Sequence, residues 1–145
     1  MEIRTKYHGV IEAEQKDILH FQNGIPGFLD EKSFILLKLD QDSPFYILQS
    51  TKTAELGFVI VNPFQFFTTY EFELSDNDKA QLKLISKEDV AVYTILNVKD
   101  PFEHSTANLQ APIVLNKENS EAKQIILNDP RYQTKQRLFP EKAVK

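Results

Sequence analysis

Residues 45–61, FYILQSTKTAELGFVIV, contain two short apolar runs separated by a polar stretch, and they decide the fold class. The runs at 45–49 and 56–61 are rich in aromatic and β-branched residues, as is typical of strands. Neither run alternates cleanly between apolar and polar residues. We therefore expect both faces of these strands to be covered, as in a barrel that has a filled interior and an outer layer.

Further short runs on both sides of this stretch have the composition of strands. They cover residues 3–7, 18–21, 34–39, 90–98, 113–115 and 124–127. Gly24, Pro26 and Gly27 predict a tight turn, because glycine adopts positive φ and proline fixes φ. Many short strands with few helices favour an antiparallel barrel or sandwich over a doubly wound sheet. The sequence thus predicts a β-rich fold, a small antiparallel β-barrel-like single domain.

One short α-helix is predicted at about residues 76–85. Ser75 is a suitable N-cap, and acidic residues follow in the first turn, where the helix dipole favours negative charge. Leu82 and Ile85, three residues apart, are expected to pin the helix to the core. We place the barrel-like domain at residues 1–130. The basic segment at 131–145 is expected to be loosely held, with Tyr132, Leu138 and Phe139 available to dock it.

The composition excludes several classes of protein. Of the 145 residues, 41% are hydrophobic and 26% charged, which is typical of a globular domain. The absence of cysteine excludes disulfides, thiolate zinc sites and cysteine nucleophiles. The N-terminus does not resemble a signal peptide, and no stretch has the roughly 18 apolar residues needed to cross a bilayer. We expect no membrane association, a cytoplasmic location and a monomer.

The formal net charge of −4 is distributed unevenly along the chain. Residues 1–78 carry 13 acidic and six basic side chains, whereas residues 79–145 carry eight acidic and eleven basic ones. An acidic side disfavours nucleic acid as a direct partner, because binding to DNA or RNA depends on clustered Lys and Arg. A basic protein is a better candidate, since opposite fields steer association.

Few residues have the spacing of a chemical site. The three histidines, His8, His20 and His104, lack neighbours at metal-ligand spacing, so no metal and no cofactor are expected. Glu71 and Glu73 alternate with apolar residues in a predicted strand, which would place the carboxylates about 7 Å apart on one face. That separation suits glycoside hydrolysis, but a solvated strand face is the simpler interpretation. We expect no enzymatic activity; a small-molecule-binding or hydrolytic barrel is the alternative.

The densest aromatic cluster lies at residues 58–72. A strand buries only alternate residues, so Phe64, Phe66 and Phe67 cannot all be buried unless residues 62–63 break the register. Most of these rings are expected in the core, with one or two exposed to anchor a partner. Our predicted protein-binding surface joins such rings to nearby carboxylates. It consists of Phe64, Phe66, Tyr70, Glu71, Glu73, Asp40 and Asp42.

Four segments stand out by their order and spacing. They are FQNGIPGF (21–28), PFYILQS (44–50), VNPF (61–64) and NLQAPIVLN (108–116). Together they resemble the family of the flagellar assembly factor FliW, and the resemblance extends from the first strand to about residue 132. The shared segments are turns and strands, so the resemblance identifies no partner-contacting residue.

The resemblance implies a small β-barrel-like domain that works by exchanging partners. Proteins of this family bind newly made flagellin in the cytoplasm and bind the carbon storage regulator CsrA once flagellin has been exported. CsrA is an RNA-binding protein that represses translation of flagellin messenger RNA. Its capture would restore flagellin synthesis when flagellin is scarce, and the acidic first half of the chain suits such a basic partner.

Overall fold

A computed structural model describes residues 1–139, which contain eleven strands, one α-helix and four short 3-10 turns. The strands are β1 (Glu2–Arg4), β2 (Val10–Glu12), β3 (Ile18–Phe21), β4 (Ser33–Lys38), β5 (Phe45–Ser50), β6 (Gly57–Val61), β7 (Val90–Asn97), β8 (Thr106–Ala107), β9 (Ile113–Asn116), β10 (Glu121–Gln124) and β11 (Gln136–Arg137), and the helix is α1 (Asp76–Gln81). Among these residues no helix is long and apolar enough to span a bilayer.

Seven strands close into a barrel in the order β3-β4-β5-β6-β7-β9-β10, with β10 returning to β3. The predicted β-rich barrel is therefore confirmed. Every neighbouring pair is antiparallel except β3 and β10, which run parallel with His20 opposite Glu121 and Phe21 opposite Ala122. This one seam is the exception to the antiparallel pairing that the sequence predicts. The strands β1 and β2 form a separate hairpin, and β8 and β11 extend the sheet beyond β7.

The barrel strands bury side chains on both faces. Alternate positions fill the interior, where Phe34 and Ile60 are fully buried. The residues that alternate with these interior positions along each strand face outward and are covered by other elements. Ile35, for example, packs with Ile3 and Ala13 beneath the β1–β2 hairpin. This arrangement explains why the central apolar runs do not alternate with polar residues.

The helix is shorter than the sequence predicts. It follows Ser75, whose side-chain oxygen accepts a hydrogen bond from the amide of Asp78 at 3.0 Å, as expected for an N-cap. It ends well before residue 85, and Lys83 adopts a left-handed backbone with φ 55°. Leu82 is buried as predicted, but Ile85 is 96% exposed, so of these two residues only Leu82 packs this end of the helix against the barrel.

Two predicted strands differ in their limits. The first ends at Arg4, because Thr5 and Gly9 form a turn in which the amide of Thr5 donates to the carbonyl of Gly9 at 2.8 Å. The run at 124–127 lies mostly beyond β10. Its residues still donate hydrogen bonds to the segment before β9, as shown by the 2.8 Å bond from the amide of Ile125 to the carbonyl of Pro112.

The turn after β3 has the predicted conformation. Gly24 and Gly27 have φ of 67° and 88°, and Ile25 and Phe28 exchange backbone hydrogen bonds across the turn. A Cβ atom at Gly24 would lie 2.4 Å from the carbonyl oxygen of Leu29. This position therefore requires glycine for both its backbone conformation and its close approach to the next turn.

The segment 131–139 is attached more closely than expected for the region 131–145. Strand β11 pairs with β8, and both Tyr132 and Leu138 are buried. The amide of Leu138 also donates to the carbonyl of Ser105 at 3.1 Å. These contacts hold this part of the segment against the barrel, and residues 140–145 lie outside the described residues.

Candidate protein-binding site

The turn after β6 presents one aromatic ring to solvent. Asn62 precedes a 3-10 turn (Pro63–Gln65), and its side-chain oxygen accepts a hydrogen bond from the amide of Phe64 at 2.9 Å. Proline has no N–H and cannot extend the ladder of β6, so the chain leaves the sheet here. The ring of Phe64 is 41% exposed and lies 5.8 Å from the ring of Tyr70. The register thus breaks at residues 62–63.

The other rings of this region turn inward. Phe66 and Phe67 join a second apolar cluster that covers the outside of the barrel. The ring of Phe66 stacks on Phe45 and meets Phe139 edge to face, both at 6.0 Å between centroids. Phe66 is therefore half-buried and contributes mainly to packing, whereas Phe64 keeps an accessible face.

Tyr70 supports this surface from beneath. It is 4% exposed, and its hydroxyl donates a hydrogen bond to the carbonyl of Leu109 at 2.7 Å. Its ring meets Tyr132 edge to face at 4.7 Å. Burial, with a smaller contribution from Tyr132, raises the pKa of the Tyr70 hydroxyl, which remains neutral and acts as a fixed hydrogen-bond donor.

Glu71 and Glu73 lie in an extended segment, but this segment is not the predicted strand, because no strand within residues 1–139 pairs with it. The alternation survives, since both carboxylates are exposed while Phe72 between them is half-buried. The backbone of Glu71 is held instead by the hydroxyl of Tyr132. That hydroxyl accepts from the amide of Glu71 and donates to its carbonyl, each at 3.0 Å.

Arg131 is a neighbour of these carboxylates that the sequence pattern did not assign to the surface. Its guanidinium lies 3.3 Å from the carboxylate of Glu71 and 2.8 Å from that of Asp129. Hydrogen bonds from Arg131 hold the pKa of the Asp129 carboxyl below its usual value. The run of acid, proline and base at 129–131 indicates a turn, but nothing in it indicates a contact with a residue 60 positions earlier.

Asp40 and Asp42 lie in the turn between β4 and β5, and both are exposed. The carboxylate of Asp40 accepts a hydrogen bond from the amide of Gln41 at 2.7 Å. Within residues 1–139 neither aspartate forms an ion pair. The structure thus joins Phe64, Tyr70 and Glu71 in one cluster with Tyr132, whereas no hydrogen bond or ion pair links these aspartates to that cluster.

The geometry gives little support to a hydrolytic barrel. Such a site requires two carboxyl groups whose environments push their pKa values apart. Glu71 and Glu73 are exposed, and Glu71 is paired with Arg131. The barrel interior is filled by apolar side chains, which include Phe34 and Ile60. In the described part of the chain no group of three or more His, Asp or Glu side chains has an arrangement that could hold a metal ion.

The chain matches known proteins along almost its whole length. The family model described as FliW protein matches residues 2–138. The flagellar assembly factor FliW of Geobacillus kaustophilus is 57% identical over 145 residues, which is 100% of both chains. That of Bacillus subtilis is 49% identical over 135 residues, 93% of this chain and 94% of the relative. A crystal structure of the flagellar assembly factor FliW superposes with a TM-score of 0.93 at 55% identity, covering 99% of this chain and 100% of that one.

The fold is that of a small β-barrel domain, closed and filled with apolar side chains. Its class is that of the flagellar assembly factors, as the names of its relatives indicate. The chain belongs to the FliW family.

Proposed function

We propose that this chain binds flagellin in the cytoplasm and, when flagellin is scarce, binds and antagonises the translational regulator CsrA. Capture of CsrA relieves repression of flagellin translation, so the chain couples flagellin synthesis to flagellin export. It acts stoichiometrically as a chaperone and regulator, without catalysis or a cofactor. Membership in the FliW family across residues 2–138 is the observation that carries this proposal.

The proposed contact surface is the cluster around Phe64, Glu71 and Glu73, with Asp40 and Asp42 as further acidic contributors. An exposed aromatic ring beside carboxylates has the chemistry of an interface centre, because buried aromatic rings supply much of the binding free energy and charges set partner choice. An RNA-binding protein carries a basic surface, which is attracted by these carboxylates. Phe66 and Tyr70 support this surface from beneath through their packing.

Calorimetric titration of the chain with flagellin and with CsrA from the same organism tests the proposal. We expect binding to each partner, loss of CsrA binding after saturation with flagellin, and weaker CsrA binding at high salt. The salt effect follows because exposed charge pairs are screened by ions. The absence of a complex with either partner would refute the proposed function.

A double charge reversal tests the surface itself. Glu71→Lys with Glu73→Lys is expected to weaken CsrA binding at least tenfold, because two attractive charges become repulsive. Glu2→Lys with Glu55→Lys is the matched control, since it changes the net charge equally at exposed positions outside the cluster. If both double variants bind CsrA equally and remain folded, the acidic cluster is not the contact surface.

A further inference from the structure

Within residues 1–139, the first half of β7 has a strand partner on one side only. Residues 90–93 pair with β9, from Val90 opposite Asn116 to Tyr93 opposite Ile113. On the other side β6 pairs only with Thr94 and Ile95, because it ends where the chain turns away at residues 62–63. Four residues of β7 therefore border a gap in the barrel wall.

The direction of the backbone groups in β7 follows from two hydrogen bonds. The carbonyl of Asp89 accepts from the amide of Lys117 at 2.7 Å, and the carbonyl of Ile95 accepts from the amide of Asn108 at 3.0 Å. Odd-numbered residues of this strand thus point toward β9 and β8. Because backbone groups alternate along a strand, the N–H and C=O of Val92 point toward the gap.

In the described part of the chain, Val92 has no backbone partner on that side. Within residues 1–139 neither its N–H nor its C=O takes part in a hydrogen bond to the backbone or to a side chain, and its pairing with Val114 is the type that leaves these groups free. Pro63, the residue that would face Val92 if β6 continued, offers no N–H. An open strand edge of this kind is a template for one more strand.

A groove of about 470 Å³ runs along this edge. Besides residues 90–93, its walls include Asn62, Phe64, Phe72, Leu74, Lys87 and Lys117. Both lysines are exposed and have no ion-pair partner among the described residues. Among the described residues they are the only charged ones that line the groove, which therefore joins apolar walls to a positive rim.

We propose that this groove binds an extended segment of a partner protein, which adds to β7 as a strand beside Val92. The segment carries apolar side chains that contact Phe72 and Leu74, and at least one carboxylate that pairs with Lys87 or Lys117. Strand addition of this kind obtains affinity from main-chain hydrogen bonds and specificity from pockets for alternate side chains. The inference rests on the proposed function, because it assigns one of its protein partners to a groove that borders the acidic cluster and shares Phe64 with the proposed contact surface.

Amide hydrogen exchange at single-residue resolution is the most direct test. In the free chain, the amide of Val92 is expected to exchange rapidly, whereas those of Ala91 and Tyr93, which point toward β9, are protected. Addition of flagellin or of CsrA is expected to protect Val92 in one of the two complexes. Rapid exchange of Val92 in both complexes overturns strand addition.

A charge reversal at the rim provides a second test. Lys87→Glu with Lys117→Glu is expected to weaken the binding of one partner at least tenfold. Lys16→Glu with Lys52→Glu is the matched control, since it makes the same change in net charge at exposed positions outside the groove lining, and it should bind like wild type. Unfolding midpoints of both variants show whether the fold persists.

The outcomes separate the two proposals. If wild type binds its partners and the rim variant binds each of them as tightly as wild type does, the groove is not a docking site and the proposed function stands. If wild type binds neither partner, the proposed function fails, and the groove inference fails with it.

Discussion

The hydroxyl of Tyr132 lies 3.0 Å from both the amide nitrogen and the carbonyl oxygen of Glu71, so one side chain satisfies both backbone groups of a residue 61 positions earlier. A hydroxyl can donate one hydrogen bond and accept others, which makes this pairing possible. The segment that carries Glu71 and Glu73 has no strand neighbour among the described residues. Tyr132 therefore substitutes for a strand at this point of the proposed binding surface.

Tyr132→Phe is expected to lower the free energy of unfolding by about 1 to 2 kcal/mol, because two backbone groups lose their partner while the ring packing is retained. Urea unfolding measures the change. Tyr7→Phe is the control, since Tyr7 is 49% exposed and should change stability by less than about 0.5 kcal/mol. Equal stabilities of the two variants would show that the Tyr132 hydroxyl does not hold the segment.

Gly24→Ala is expected to destabilise the chain by about 2 to 4 kcal/mol, because a Cβ adds both left-handed strain and overlap with the backbone of Leu29. Gly9→Ala is the matched control: its φ of +66° is nearly the same as the +67° of Gly24, but apart from its chain neighbours no described residue has an atom within 4 Å of the added Cβ. This variant should lose only about 1 to 2 kcal/mol of unfolding free energy, because it has the left-handed backbone strain without the overlap. Thermal or urea unfolding measures the loss of stability in both variants. Equal losses would contradict the close approach at Leu29.

Asp78 ties α1 to β10 through Lys123, with 2.6 Å between the carboxylate and the ammonium group. Burial opposes ionisation, but hydrogen bonds from Lys123 and Ser75 outweigh it and lower the pKa of the Asp78 carboxyl. The ionised form therefore stabilises the fold above the unfolded pKa of about 3.9, and this contribution is lost as pH falls through the lower, folded pKa.

Asp78→Asn is accordingly expected to lower the free energy of unfolding by about 1 to 2 kcal/mol at pH 7. This lies between the values typical of surface ion pairs and of buried ion pairs. The difference from wild type should shrink as pH falls below about 4, where the carboxyl of Asp78 begins to protonate in the unfolded chain. Urea unfolding at a series of pH values measures both effects. A difference that is constant from pH 7 to pH 3 would mean that the ion pair does not contribute.

Phe64→Ala is expected to weaken binding of at least one proposed partner tenfold or more, since an aromatic anchor at an interface centre often contributes over about 1.4 kcal/mol. Its stability should change little, because the ring is 41% exposed. Phe28→Ala is the control, as that ring is 42% exposed and lies outside the proposed surface. Calorimetric titration of both variants makes the comparison, and equal affinities would remove Phe64 from the interface.

The barrel was predictable from the sequence because its strands are short apolar runs bounded by turn residues. The glycines at 24 and 27 also fix their turn locally, and Ser75 identifies the start of α1. These features depend on neighbours in the chain, which a sequence displays directly. The parallel seam between β3 and β10 does not depend on neighbours in the chain, since it joins residues about 100 positions apart.

The helix end and the carboxylate segment were predicted less well for the same physical reason. Ile85 has the spacing of a buried helical residue, yet it is 96% exposed. The alternation around Glu71 is that of a strand, but the partner that holds it is a tyrosine hydroxyl from a distant turn. Local periodicity describes which side chains can be buried, whereas tertiary contacts decide what covers them.

The seam between β3 and β10 also has a consequence for synthesis of the chain. Its register pairs His20 with Glu121, so the two edges that close the barrel emerge from the ribosome about 100 residues apart. The strands from β3 to β6 can pair as a meander while the rest is being made. Closure must wait until β10 has left the exit tunnel, and until then the nascent chain exposes two unpaired edges that a chaperone or another chain can reach.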